Sequence, residues 1–162
     1  MTVDELVRQL NLQAHPEGGY FAEHYRSSVS MEPAGFGGKR NLCTSIYFLL
    51  EQGDFSALHR IKSDEIWHFY LGEPLEIVEI DGQGNWHSTL LGPDLSAGQK
   101  LCHVVKAGNW FGSRAAFGSR FSLVGCTVAP GFDFQDFEMP DRDFFLGEFP
   151  HLESNVLAFT LV

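Results

Sequence analysis

The residues with the clearest capacity for chemistry are His59 and Glu65. They sit in a regular frame: Gly53, five residues, His59, one residue, Ile61, three residues, Glu65, six residues, Gly72. Side chains alternate faces along a strand, so His59 and Ile61 share a face. A tight turn at Lys62-Ser63-Asp64 would send the chain back antiparallel and set the Glu65 carboxylate opposite His59. Imidazole and carboxylate together suit a divalent metal. Without a metal the same pair suits proton transfer. The bland alternatives are a buried histidine bonded to a backbone group and a Glu65 paired with Arg26 or Lys62, because a buried unpaired carboxylate is costly.

Other side chains gather around this pair by parity. Trp67 and Phe69 share the face of Glu65 and are expected to line a cavity, or to fill core. His68 and Tyr70 fall on the opposite face, toward an outer layer or a dimer interface. Tyr47 and Ser45 lie on a preceding apolar strand, where either hydroxyl can serve a ligand or simply pack. Trp110 and Phe111 offer aromatic surface to a ring-like ligand, or fill the interior. Arg26, at a strand end, is placed to clamp a carboxylate or phosphate bidentately, or to form a surface salt bridge.

The elements that must position these residues are mainly short strands. Thr2 and Glu5 have capping-box spacing, and Val3, Leu6, Val7 and Leu10 follow at helical intervals, so residues 2–11 read as one short helix. Strands are expected at 20–26, 42–50, 55–61, 65–71, 75–80, 85–91, 99–105, 110–111 and 120–128. Asp81-Gly82-Gln83-Gly84 is a strong hairpin signal. Such a series indicates an all-β sandwich or barrel, here a jelly roll. Residues 31–41 hold three glycines and read as a mobile surface loop, a candidate lid. The tail from Asp141 is expected to pack on the barrel.

Composition limits the partners. A chain of 162 residues with 44% hydrophobic and 20% charged residues reads as a single domain, 1–162. Fifteen Phe and seventeen Gly favour strands and tight turns. A formal net charge of −10 disfavours nucleic acid and anionic membrane as partners. Cys43, Cys102 and Cys126 are odd in number and widely spaced, which fits reduced thiols in a cytoplasmic setting better than a disulfide framework. The first residues lack a basic stretch followed by an apolar run, so no signal peptide is expected. No apolar stretch approaches the ~20 residues of a membrane span.

The Gly53–Gly72 frame resembles the first signature of the cupin superfamily, Gly-x5-His-x-His-x3-Glu-x6-Gly. Ile61 stands where the second histidine would be. The second signature, Gly-x5-Pro-x-Gly-x2-His-x3-Asn, is eroded: Lys106 replaces the proline, Gly108 is kept, and Phe111 and Ala115 take the histidine and asparagine positions. Of the family's four metal ligands only His59 and Glu65 remain, with His24, His68 and His103 as recruits that no spacing rule supports. Three longer strings, HPEGGYF at 15–21, SDEIWH at 63–68 and VAPGFDFQDF at 128–137, resemble a branch of single-domain cupins of unknown function, over residues 4 to 160. Within them Glu17, Asp133 and Asp136 either face the mouth or cap turns.

The resemblance implies a cupin jelly roll of the germin or epimerase kind that binds a small molecule and forms a homodimer. Because the metal set is broken, no cofactor is expected, beyond a weak or non-standard divalent metal on His59 and Glu65. The branch supplies no established reaction; the loss of two metal histidines points to a metal-independent isomerase or epimerase, like those of the wider cupin superfamily, acting on a sugar-like or small acid substrate. His59 would be the base, Glu65 or Asp64 would orient it, and Tyr47 would be the acid. The alternatives are a ligand-binding module without chemistry and an atypical metal-dependent enzyme, so enzyme action is left open.

Overall fold

The computed structural model describes residues 1–116, 118 and 120–161. In it the alternating apolar runs form two antiparallel sheets that face each other as a jelly roll. The larger has strand order β1 (Gln13–Ala14), β2 (Tyr20–Arg26), β5 (Thr44–Glu51), β12 (Phe121–Ala129), β7 (Asp64–Gly72), β10 (Cys102–Val105). The smaller has the order β6 (Phe55–His59), β11 (Trp110–Ala115), β8 (Leu75–Ile80), β9 (Trp86–Leu91). A two-stranded ribbon of β3 (Ser30–Met31) and β4 (Arg40–Asn41) stands apart from both.

Between the sheets lies the main core, with Phe48, Leu50, Trp67, Ile77, Phe111 and Val124 each at or below 1% exposure. These residues alternate with outward-facing ones, which makes one strand serve two layers. Leu58, Val78 and Ile80, on the outer face of the smaller sheet, are covered by the C-terminal helices α2 (Arg142–Glu148) and α3 (Glu153–Ala158) through Phe145, Val156 and Phe159. The tail therefore packs as expected, but as helices. On the larger sheet, α1 (Val3–Gln9) sets Leu6 against Leu49, Phe121 and Leu123. Both reciprocal bonds of its Thr2–Glu5 capping box are present.

Two sequence expectations are corrected here. His59 and Glu65 do not face each other across a hairpin. His59 ends β6 and registers with Phe111, whereas Glu65 on β7 registers with Val128 and Val105. The segment between them crosses from one sheet to the other, so the two side chains approach one cavity from opposite walls. The loop at 31–41 is also not free. Arg40, 4% exposed, donates to both oxygens of Asp136 at 2.7 and 2.8 Å and to the Phe36 carbonyl at 3.0 Å. Lys62 reaches the Gly35 carbonyl at 3.3 Å.

Phe145 is fully buried and joins α2 to the smaller sheet. Its replacement by alanine leaves a cavity the two layers cannot close. We expect Phe145→Ala to lower unfolding free energy by about 3–5 kcal/mol in urea denaturation; a loss under about 1 kcal/mol would mean that the tail adds little to the barrel.

Candidate functional site

A cavity of about 320 Å³ opens between the sheets and is walled by His15, Glu17, His59, Glu65, Cys126 and ten further residues. Its size falls in the range of small-ligand sites. The larger sheet contributes Phe21 and Glu23 from β2, Thr44 and Ile46 from β5, Glu65 from β7, and Cys126 and Val128 from β12. Arg26 joins them because a bulge between Glu23 and Tyr25 shifts the parity of β2. Ile61 follows His59 on the facing side, and Phe132, Asp133 and Phe134 close the mouth.

Glu17 is the partner that His59 meets. The two form an ion pair at 2.9 Å, with side-chain exposures of only 8% and 4%. The other ring nitrogen, Nδ1, lies 2.7 Å from the Ala57 carbonyl. A carbonyl only accepts, so Nδ1 carries a proton. Burial alone would push Glu17 up, but the charge and hydrogen bond of His59 outweigh it and hold the carboxyl below its ordinary value. Burial likewise opposes the charged form of His59, yet Glu17 and the Ala57 carbonyl raise it above its ordinary value. The pair is therefore carboxylate and imidazolium, with both ring nitrogens engaged. The rings of Phe111 and Phe137 flank the imidazole at 4.1 and 5.2 Å between centroids.

The His-Pro-Glu-Gly-Gly string explains how Glu17 gets there. Its turn is closed by Gly18 N–H to the His15 carbonyl at 3.0 Å and His15 N–H to the Gly19 carbonyl at 2.9 Å. Ala57 N–H then bonds the Glu17 carbonyl at 2.8 Å, laying the turn along β6. Gly18 has φ +113°, and a Cβ there would overlap the Phe55 carbonyl oxygen. Only glycine allows this approach. His15 accepts the Glu17 N–H through Nδ1 at 3.2 Å, and burial holds its pKa below the ordinary value, so it is a neutral neighbour.

Glu65 behaves differently. It is 8% exposed, and burial pushes its carboxyl up to about 7, only partly countered by the His59 charge and further raised by Glu17. Cys126 contacts it, and burial together with the Glu65 and Glu17 charges keeps that thiol protonated, well above its ordinary value. One carboxyl in this cavity is fixed as an anion by a cation of its own, while the other exchanges its proton near neutrality. Pairs of like groups pushed apart in this way mark acid–base sites.

The remaining sequence candidates divide by face. Arg26 lines the mouth, but its guanidinium is held by Glu23 at 2.7 and 2.8 Å, Asn41 at 2.8 Å and the Phe132 carbonyl at 3.1 Å. Trp67, Phe69 and Phe111 belong to the core beneath the cavity rather than to its wall. Four placements are corrected. Tyr47 packs with Leu49 in the outer cluster under α1, 4.5 Å from the His24 ring. Ser45, on the same face, contacts His24 at 3.2 Å and Thr127 at 3.3 Å. Both alternate with the inward Thr44 and Ile46, so neither reaches the cavity. Trp110 turns outward to Phe145 and lies under Arg60 at 4.2 Å. Asp64 pairs with Lys106 and does not orient His59.

The cupin metal set does not fit these residues. Ile61 and Phe111 are apolar where ligands are needed, and His59 has no ring nitrogen left to offer. The three recruits are engaged elsewhere: His24 with Ser45, His68 with Thr127, and His103 with Glu79 at 2.6 Å. Among the described residues, no group of three or more His, Cys, Asp or Glu side chains is arranged to hold a metal ion.

Jelly roll and site together define a cupin with a protein-filled ligand set. The chain belongs to the family described as Cupin superfamily (DUF985), which matches residues 4–140. It is similar to a hypothetical protein from Leishmania major, with TM-score 0.94, 33% identity and 100% of both chains covered. It is also similar to protein SO0799 of Shewanella oneidensis, with TM-score 0.92, 37% identity, and 99% and 98% of the two chains covered. The uncharacterized protein YML079W of Saccharomyces cerevisiae is 29% identical over 147 residues, 83% of this chain and 73% of the relative. Oxalate decarboxylase of Bacillus subtilis shares the fold alone, at TM-score 0.56 and 14% identity over 91% of this chain and 37% of that one. No helix among the described residues is long and apolar enough to cross a membrane.

The two carboxyls carry opposite pH signatures. Glu65 is at about 7 in the folded protein against 4.5 when exposed, so the folded state holds the extra proton between those values. Stability then falls as pH rises through that window, by roughly 3 kcal/mol. Glu17, lowered, stabilises above its ordinary value of 4.5 and loses that contribution in acid. His59, raised, stabilises fully below 6.5 and loses its contribution as pH climbs through its folded value. Glu65→Gln removes the first contribution and, with it, only the smallest of the effects that raise His59. The variant should melt higher than the parent at pH 8 and match it near pH 4, in thermal denaturation across pH. A variant that melts lower at pH 8 would show that the Glu65 carboxylate is stabilised in the folded state.

Proposed function

We propose that the cavity binds a small polar metabolite and moves a proton on it without a metal, in the manner of an isomerase or epimerase. The observation that carries this reading is Glu65, a buried carboxyl poised at about 7 in the wall of a cavity that also holds a fixed imidazolium. General bases work best when their pKa lies near the working pH. The roles expected from the sequence are thereby exchanged. Glu65 is the proton carrier, and His59, locked by Glu17 and Ala57, acts through its charge.

In this chemistry the Glu65 carboxylate takes a proton from a carbon next to a carbonyl. The C–H electron pair moves into the carbonyl and leaves an enolate. The nearby imidazolium favours that negative charge in a site of low dielectric. On an α-hydroxy carbonyl, return of the proton from Glu65 to the former carbonyl carbon, with the hydroxyl proton passing to the former carbonyl oxygen, gives the isomer and restores the carboxylate. Cys126 stays a thiol throughout and holds Glu65 in place. Ile46, Ile61 and Val128 exclude water from the wall.

The test is proton exchange in D2O. Small aldoses, ketoses and amino sugars are incubated with the protein, and loss of the carbon-bound proton is followed by NMR. We expect exchange that rises with pH through about 7 as Glu65 ionises. Glu65→Gln should lower it by about 10²–10⁴-fold. Exchange that persists unchanged in Glu65→Gln overturns the assignment. So does a Glu65 carboxyl carbon that titrates near its ordinary 4.5 in the folded protein.

A further inference from the structure

The charge balance of the cavity wall deepens this reading and rests on it. Arg26 is the one arginine or lysine on the wall among the described residues, and four carboxyl groups share that wall with it: Glu17, Glu23, Glu65 and Asp133. Arg26 makes four hydrogen bonds to the protein, two of them a fork onto Glu23. The His59 cation faces Glu17. Every positive charge on the wall therefore has a partner inside the protein. An anionic ligand would meet no free cation and would have to displace one of these pairs.

Acceptors, by contrast, are in excess. Asp133 acts electrostatically on Arg26 and Arg40, but its one hydrogen bond among the described residues caps Gln135 N–H at 2.9 Å, which leaves most of its accepting capacity open. It sits at the mouth between Phe132 and Phe134, whose rings meet edge-on at 5.0 Å, and Phe134 is 56% exposed. Phe21 lines the wall beyond them. Aromatic faces beside a carboxylate with spare lone pairs make a setting that attracts an organic cation.

We propose that the ligand of this cavity is a small organic cation, a compound bearing a protonated amine, held at the mouth by Asp133 with Phe132 and Phe134. The reacting carbon then lies inward, toward Glu65. This excludes sugar nucleotides, phosphates and carboxylic acids as ligands. Among sugar-like substrates it selects amino sugars and related amino ketones.

Benzylamine, benzyl alcohol and benzoate are matched in size and differ in charge. Binding of each at pH 8 is read from the methyl resonances of Ile46 and Ile61, which line the cavity. Benzylamine should bind about tenfold or more tighter than benzoate, with benzyl alcohol between them. Asp133→Asn keeps the Gln135 cap and should weaken benzylamine about fivefold or more while leaving benzyl alcohol unchanged. Benzoate binding as well as benzylamine overturns the proposal. So does an Asp133→Asn variant that binds benzylamine like the parent, or methyl resonances that respond to none of the three. The Glu65 carboxyl titration is read separately in the unliganded protein, so a wrong ligand charge and a wrong proton carrier give different results.

Discussion

The site depends on one interaction, the buried ion pair of Glu17 and His59. Taking both charges out of water costs several kcal/mol per ion before their attraction is counted. The structure offsets that cost by short geometry, 2.9 Å, and by giving the second ring nitrogen to the Ala57 carbonyl. The pair in turn constrains the chain around it. The turn at His15–Gly19 must lie flat on β6 to deliver the carboxylate, and two positive-φ glycines let it do so. Phe111 must be apolar and flat because it packs against the imidazole at 4.1 Å. Removing either charge leaves the other buried and uncompensated, which is why the two residues work as a unit.

Glu65 follows from that pair. A cavity that already holds one anion and one cation has little capacity for a second anion. Burial and the Glu17 charge oppose ionisation of Glu65, and the His59 charge only partly restores it. The same low dielectric that makes the Glu17–His59 attraction strong makes the solitary carboxyl weakly acidic. Its neighbour Cys126 supplies a hydrogen bond but no charge, because the thiol is itself held in its neutral form. Glu65 thus destabilises the fold above about 7, and the proton transfer proposed for it would draw on that instability, a common relation between stability and function.

Much of the architecture was legible because the signals were local. The Thr2–Glu5 capping box and the Asp81–Gly84 turn each specify a short piece of backbone by chemistry within a few residues. The parity rule also placed Glu65 and Trp67 on the inner face of β7. What parity cannot supply is which face is inner, and for β5 that is decided by α1, which covers Tyr47 and Leu49 from outside. Trp110 was misplaced for a similar reason, since the C-terminal helices give its outward face an apolar cover. The pairing of His59 with Glu65 failed because a short segment between strands can turn a hairpin or cross between sheets with the same residues. Glu17 lies 42 positions from His59, and no periodicity links them. The legible trace was indirect: paired glycines after an acid mark a backbone that approaches something closely.

The replacement of metal ligands and the new ion pair are two sides of one change. In a metal-bearing cupin site of the signature type, the histidine at position 59 would give a ring nitrogen to the ion. Here that nitrogen faces Glu17, the neighbouring ligand position is Ile61 in the apolar wall, and the third is Phe111 against the ring. Losing ligands alone would leave a buried imidazole with an unpaired nitrogen and a hole lined by apolar groups. The His-Pro-Glu-Gly-Gly turn fills that position with a carboxylate, and the carboxylate keeps the imidazole protonated. A positive charge thus remains at the centre of the barrel, carried by a proton instead of an ion. Because it is bound on both sides by the protein, it can polarise what lies in the cavity but cannot leave with it, and the exchangeable proton is left to Glu65 on the opposite wall.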